Sequence, residues 1–198
     1  MRLNIPVFDQ TTNLNCGTSV LRMIVAYFGK DHGIEFFENK TGIKEGKGVW
    51  TIQVALAAAE MGYSVDFYSK SLKPNKENLS LEFYKRYSAD FEKLEKWLRE
   101  LNKIGKSEEK ELKLEELLGK INKESLAIVL VDWNMVSGKE EKGYQGHFVV
   151  ITGYDEENVY LNVSRIKDSN KDFHVKRELF DRARKAKGTD EEIVIIGR

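Results

Sequence analysis

GHFVVITGYDEENVYLNV, residues 146–163, decides the fold. Its first half, HFVVITGY, is a short apolar run that starts after a glycine-containing loop. Its second half, NVYLNV, is another such run, and the polar tetrapeptide DEEN between them reads as a turn. Two apolar runs joined so tightly are expected to form adjacent antiparallel strands buried in a sheet. His147 stands at the start of the first strand, where an imidazole can project from the sheet edge toward a facing helix. Asn162 stands near the end of the second. If both point to the same face, the pairing brings them together, and an Asn can orient an imidazole through its second nitrogen. A lone His at a strand start is more often structural than catalytic, so its partners carry the argument.

Outward from this pair, LAIVLVDW (126–133) and EIVIIGR (192–198) read as further buried strands, and YSVDFYS (63–69) as a strand of period two. The N-terminal half has the other period. Residues 17–28 place Val20, Leu21, Ile24 and Phe28 at helical spacings before Gly29, and the Ala-rich stretch 49–61 reads as a second buried helix ending at Gly62. Helices first and strands last imply an α+β domain rather than alternating βαβ units. With 198 residues, the chain is expected to form one domain, 1–198, around one core.

Between Pro74 and Glu124 the composition shifts to dense Lys and Glu. Leu79, Phe83, Tyr87, Phe91, Leu94, Trp97, Leu98 and Leu101 recur there at intervals of three and four. Residues 75–124 are therefore expected to be an amphipathic helical insertion, broken near Gly105, that covers the cleft. Its charges read first as the solvated face of these helices.

Lys plus Arg and Asp plus Glu both number 32, so the formal net charge is zero and no nucleic-acid footprint is expected. No stretch approaches the apolar length of a membrane span, and the first residues show no signal-peptide pattern, so a cytoplasmic protein away from membranes is expected. The Lys- and Glu-rich composition is compatible with a thermophilic source. GIKEGKG (42–48) has spaced glycines without the Lys-Ser/Thr ending of a phosphate loop, so nucleotide binding is not expected. His32 and His174 read as surface residues and Trp97 as core. Trp50 and Trp133 fit either core or the lining of a groove.

Cys16 is the single cysteine, which excludes an intrachain disulfide and a Cys-rich zinc site; no metal and no cofactor are expected. It opens the helix NCGTSVLRM, where the dipole and free amides favour a thiolate. Gln10, six residues earlier, is placed to join the Cys16 amide in an oxyanion hole. Each residue alone has a bland structural reading; the set points to nucleophilic catalysis.

These residues also carry a resemblance. Gln10 and Cys16-Gly17 followed by TSVLRMIVAYFG, KGVWTIQVALAAAEMGYSVDFY (47–68), and GHFVVITGYDEENVYLN together resemble the double-glycine leader peptidases of the papain-like superfamily. LNVSRIKDSNKDFHVKRELFDRA (161–183) is similar to the stretch after the catalytic His of phytochelatin synthase, a weaker likeness. The resemblance implies a papain-like cysteine proteinase fold, with N-terminal helices on a C-terminal antiparallel sheet. It implies Cys16 as nucleophile, His147 as base and Gln10 as oxyanion donor. The activity implied is hydrolysis or acyl transfer on a peptide or small amide. Leader peptidases usually have Asp-Pro where this chain has Asn162-Val163. Papain uses Asn as third member, so Asn162 fills that role in a triad; the departure leaves a non-catalytic peptide-binding protein as the alternative.

Overall fold

The computed structural model describes residues 1–198. Helices α1 (Cys16–Tyr27), α2 (Ile34–Thr41) and α3 (Thr51–Glu60) come first, followed by strand β1 (Ser64–Ser69). Next come α4 (Glu82–Tyr87), α5 (Leu94–Ile104), strand β2 (Lys106–Glu109) and α6 (Leu114–Gly119). The remainder is β3 (Ser125–Asp132), the single turn α7 (Trp133–Val136), β4 (Gly146–Tyr154), β5 (Asn158–Val163), β6 (Asn170–Lys176), α8 (Arg177–Arg184) and β7 (Ile193–Gly197). The strands form one sheet in the order β2-β1-β7-β3-β4-β5-β6, antiparallel throughout except where β1 and β2 run parallel. This is an α+β, papain-like architecture.

Burial explains the strand sequences. From Leu126 to Asp132 every residue of β3 is buried, as are Ile193 to Ile196 of β7, because helices cover both faces of the central sheet. A continuous apolar run is the composition such a strand requires. α1 and α3 lie over β4, β1 and β7, while α8 lies over β3, β5 and β6 and inserts Phe180 and Ala183. One apolar core of 45 buried residues runs from Leu3 to Ile196 and takes in Leu101, Leu112, Leu117 and Leu118. Residues 75–124 thus anchor in the same core as the sheet.

That segment is not helical alone. β2, with the sequence KSEE, adds a parallel edge strand to β1, with Asp66 opposite Lys106. A charged strand with mostly exposed side chains leaves no period in the sequence, and its charges suit an edge that must not recruit other chains. β6, the opposite edge, likewise carries Lys, Asp and His in place of alternation.

The N-terminal segment is a strap along β4 and β5. Leu3 donates its amide to the Thr152 carbonyl at 2.7 Å, and Tyr154 donates to Met1 at 3.0 Å. The strap passes so close to Gly153 that a Cβ there would lie 2.1 Å from the Met1 oxygen, so only glycine fits. Farther along, Gln10 donates its amide to Arg165 at 3.1 Å, and the chain then turns into α1.

Candidate active site

Asn15 sets the turn into α1. Its buried side chain donates to Thr11 Oγ1 and Glu38 Oε1, both at 2.7 Å, and accepts from the Thr12 amide at 3.3 Å. The loop is thereby held to itself and to α2, and Cys16 follows as the first residue of the helix. Gly17 lets the helix come down onto the sheet: a Cβ there would lie 2.5 Å from Val49 Cγ2 and 3.1 Å from the Phe148 ring.

This close seating puts Cys16 Sγ against the backbone amides of Phe148, Gly17 and Cys16 itself. Burial pushes the thiol up from its ordinary value, and the three amides oppose that only in part. A helix N-terminus was expected to depress it. Desolvation outweighs the helix amides here, so the resting group is the thiol.

His147 is the second residue of β4, one before Phe148, and is paired with Val131. Its ring packs on Trp133, with centroids 5.2 Å apart. Burial pulls the imidazole down to about 4; a bond to the Ser164 backbone opposes this, and the charge of Arg165 adds to it. His147 is neutral at pH 7, and its Nε2 is buried without a hydrogen-bond partner. Cys16 and His147 line one cleft.

The other two expected residues lie outside its lining. Asn162 pairs with Val150, so it shares the face of Val150 and Phe148 rather than that of His147. Its Nδ2 donates to the carbonyls of Ile5 at 3.0 Å and Pro6 at 3.4 Å, and its Oδ1 accepts the Asp172 amide at 3.2 Å. The expected contact with His147 is not among these bonds: Asn162 ties down the N-terminal strap. Gln10 is buried beside the loop and donates Nε2 to the Thr12 carbonyl at 2.9 Å, which occupies one of its two amide protons.

The cleft is narrow, with a cavity volume of about 50 Å³. Trp50, Phe83, Tyr84 and Tyr87 form its aromatic wall. Trp50 stacks on Tyr84 at 5.2 Å and donates its indole N–H to the Ala89 carbonyl at 2.6 Å, while Tyr84 donates its hydroxyl to Gly188 at 2.6 Å. Of the two tryptophans left open between core and groove, Trp50 lines the cleft and Trp133 backs His147.

At the floor lies Glu192, which sequence reasoning missed because it reads as the polar flank of the strand EIVIIGR. Its Oε2 is hydrogen-bonded to the Thr51 hydroxyl at the start of α3. Burial pushes its carboxyl up to about 8, Thr51 opposes the shift and Asp190 adds to it. No group of three or more His, Cys, Asp or Glu side chains comes together anywhere in the chain in a way that could hold a metal ion.

A family model described as guanylylate cyclase matches residues 5–196. Solved structures with a similar fold include the following peptidases and peptidase-like proteins. The double glycine motif protease of an AMS/PCAT transporter, in complex with the leader peptide, is 19% identical with a TM-score of 0.55, over 100% of this chain and 94% of that one. A putative C39-like peptidase from Bacillus anthracis is 15% identical with a TM-score of 0.63, over 98% and 95%. The peptidase domain of Streptococcus ComA, a bi-functional ABC transporter involved in quorum sensing, is 14% identical with a TM-score of 0.54, over 98% of each chain. At these identities the likeness is one of fold. The leader-peptidase resemblance was legible in the sequence motifs; the cyclase family was not.

Proposed function

The chain belongs to the guanylylate cyclase family, and from its peptidase-like fold and the cleft shared by Cys16 and His147 we propose that it performs thiol-dependent hydrolysis or acyl transfer on a peptide or small amide. The observation that carries the reading is a neutral imidazole in the same cleft as a thiol at a helix N-terminus. Both groups are uncharged at rest, so the proton moves during attack rather than before it. A side-chain rotation brings the unpartnered His147 Nε2 to Sγ and takes its proton. Sγ bonds to the carbonyl carbon, and the oxyanion meets the Cys16 amide, joined by the free amide proton of Gln10 once that side chain turns into the cleft. The C–N bond then breaks, and His147 returns its proton to the leaving amine. Water or a second amine attacks the thioester with His147 again as base, which restores the thiol.

Exposure to a library of peptide acyloxymethyl ketones tests this, with adducts located by mass spectrometry. Specific labelling of Cys16 is expected, lost in Cys16→Ala and reduced at least a hundredfold in His147→Ala. Labelling no faster than that of free cysteine for every peptide sinks the reading.

The family description supports a second reading, a guanine nucleotide bound against the Trp50–Tyr84 wall. The side chains present do not fit the carboxylate-held divalent cations that such a cyclisation draws on, since Glu192 is the one carboxylate lining the cleft. Incubation with GTP separates the readings: a cyclic product that persists in Cys16→Ala favours the nucleotide.

A further inference from the structure

Glu192 has no counter-cation in the protein. Of the residues lining the cleft it is the sole carboxylate, and none is Lys or Arg. Thr51 bonds to Oε2, and no protein group bonds to Oε1. The same cleft is lined by the rings of Trp50, Phe83, Tyr84 and Tyr87, a π-rich wall that attracts positive charge. A carboxyl in an aromatic cleft, with one oxygen unbound and no partner charge, rests protonated, and a cation entering the cleft is the group that draws it into its ionised form.

Its place relative to the thiol follows from the sheet. The Glu192 carbonyl accepts the Leu130 amide at 3.3 Å, Leu130 pairs with Phe148, and the Phe148 amide faces Cys16 Sγ. Two strand spacings, about 10 Å, separate the Glu192 backbone from the Phe148 backbone that Cys16 Sγ faces.

We propose that Glu192 and the aromatic wall form a subsite for an organic cation, a primary ammonium or guanidinium, in the same cleft as Cys16. The subsite deepens the thiol reading and rests on it for its role. Two sources supply such a group: a basic side chain of a peptide and a free amine.

The groups facing Glu192 are Asp190 on its own loop, Tyr84 on α4, Tyr144 before β4 and the Thr51 hydroxyl on α3. Cys16 and His147 lie across the cleft. Burial holds both tyrosines protonated, so Glu192 is the group whose charge changes near neutrality.

The test needs no turnover, because the chain has one cysteine. Its thiolate attacks the sulfenyl sulfur of a methanethiosulfonate, an S–S bond forms, and methanesulfinate leaves with the electron pair. Labelling rates are compared for 6-aminohexyl and hexyl methanethiosulfonate, each divided by its rate with free cysteine. The two reagents share one thiolate, so their ratio reports the cation alone.

A ratio of ten or more in favour of the amine is expected at pH 9, falling as the pH drops to 6.5 and Glu192 takes up its proton. In Glu192→Gln the ratio should fall to near one at every pH. A ratio near one in the unaltered protein, or one that ignores both pH and Glu192→Gln, overturns the proposal. If the variant does not fold, the pH dependence of the unaltered protein decides. Protection of Cys16 by cadaverine assigns a free amine, and protection by acetyl-lysine methylamide assigns a peptide side chain; protection by neither overturns the subsite. Because turnover is not measured, a failed peptidase assay leaves this result standing, and the reverse holds too.

Discussion

Asn162 and His147 lie on opposite faces of the β4–β5 pair, because Asn162 is in register with Val150, three residues along from His147. What fixes the imidazole is the Ser164 backbone on one side and the Trp133 ring on the other.

Asn162→Ala is therefore a stability variant. It leaves the Ile5 carbonyl and the Asp172 amide without their partner, and unfolding by urea should show a loss of about 1–3 kcal/mol. The rate and pH profile of Cys16 labelling should match the parent's at temperatures where both are folded. A labelling rate that drops tenfold in a folded Asn162→Ala protein would restore it to the site.

Two cleft residues give stability opposite pH slopes. His147 is pulled down to about 4 from an ordinary 6.5. Between these values the unfolded chain binds the extra proton, so stability is lost as the pH falls from 6.5 toward 4. Glu192 is pushed up to about 8 from 4.5. There the folded chain holds the extra proton, so stability is lost as the pH rises through that window. From pH 4.5 to 6.5 the two slopes cancel, so unfolding midpoints should be nearly flat there in the parent, fall with rising pH in His147→Gln and climb with rising pH in Glu192→Gln.

Arg184 is fully buried, with Nε and Nη1 unpartnered. Nη2 donates to the Leu112 carbonyl at 2.8 Å and pairs with Asp181. A buried guanidinium bonded through one nitrogen recovers little of its desolvation. Arg184→Met, which fills the space without charge, should unfold within about 1 kcal/mol of the parent or above it. Arg184→Ala should lose about 3–5 kcal/mol through the cavity. Equal losses in the two variants would show that the guanidinium itself holds α8.

Tyr84 clamps residues 82–90 over the cleft through its stack on Trp50 and its bond to Gly188. Tyr84→Ala should raise the rate at which a bulky maleimide labels Cys16 several-fold relative to iodoacetamide. An unchanged ratio would mean that this segment does not govern access.

The placement of Cys16 and His147 and the sheet that carries His147 were legible because each rests on local pattern: a helix start, a strand start and apolar runs with clear ends. What escaped depends on partners distant in sequence. β2 exists because its backbone meets β1, and KSEE has no period to announce it. Asn162 holds the expected position in its strand, but its bonds go to a strap more than 150 residues away, which no spacing reveals. Glu192 looks like a strand flank until Thr51 binds it in the cleft that the aromatic wall lines. The thiol shift had its sign reversed because the helix end is visible in sequence and the depth of burial is not.

β7 separates β1 from β3, and each of them pairs with it along an edge it shares with no other strand. A growing polypeptide therefore cannot knit these halves together until residues 193–197 have cleared the ribosome. Until then β1 and β3 present open apolar edges to whatever is near, the condition in which nascent chains aggregate or are captured by chaperones. The floor carrying Glu192, at the threshold of β7, is accordingly among the last parts of the cleft to be built.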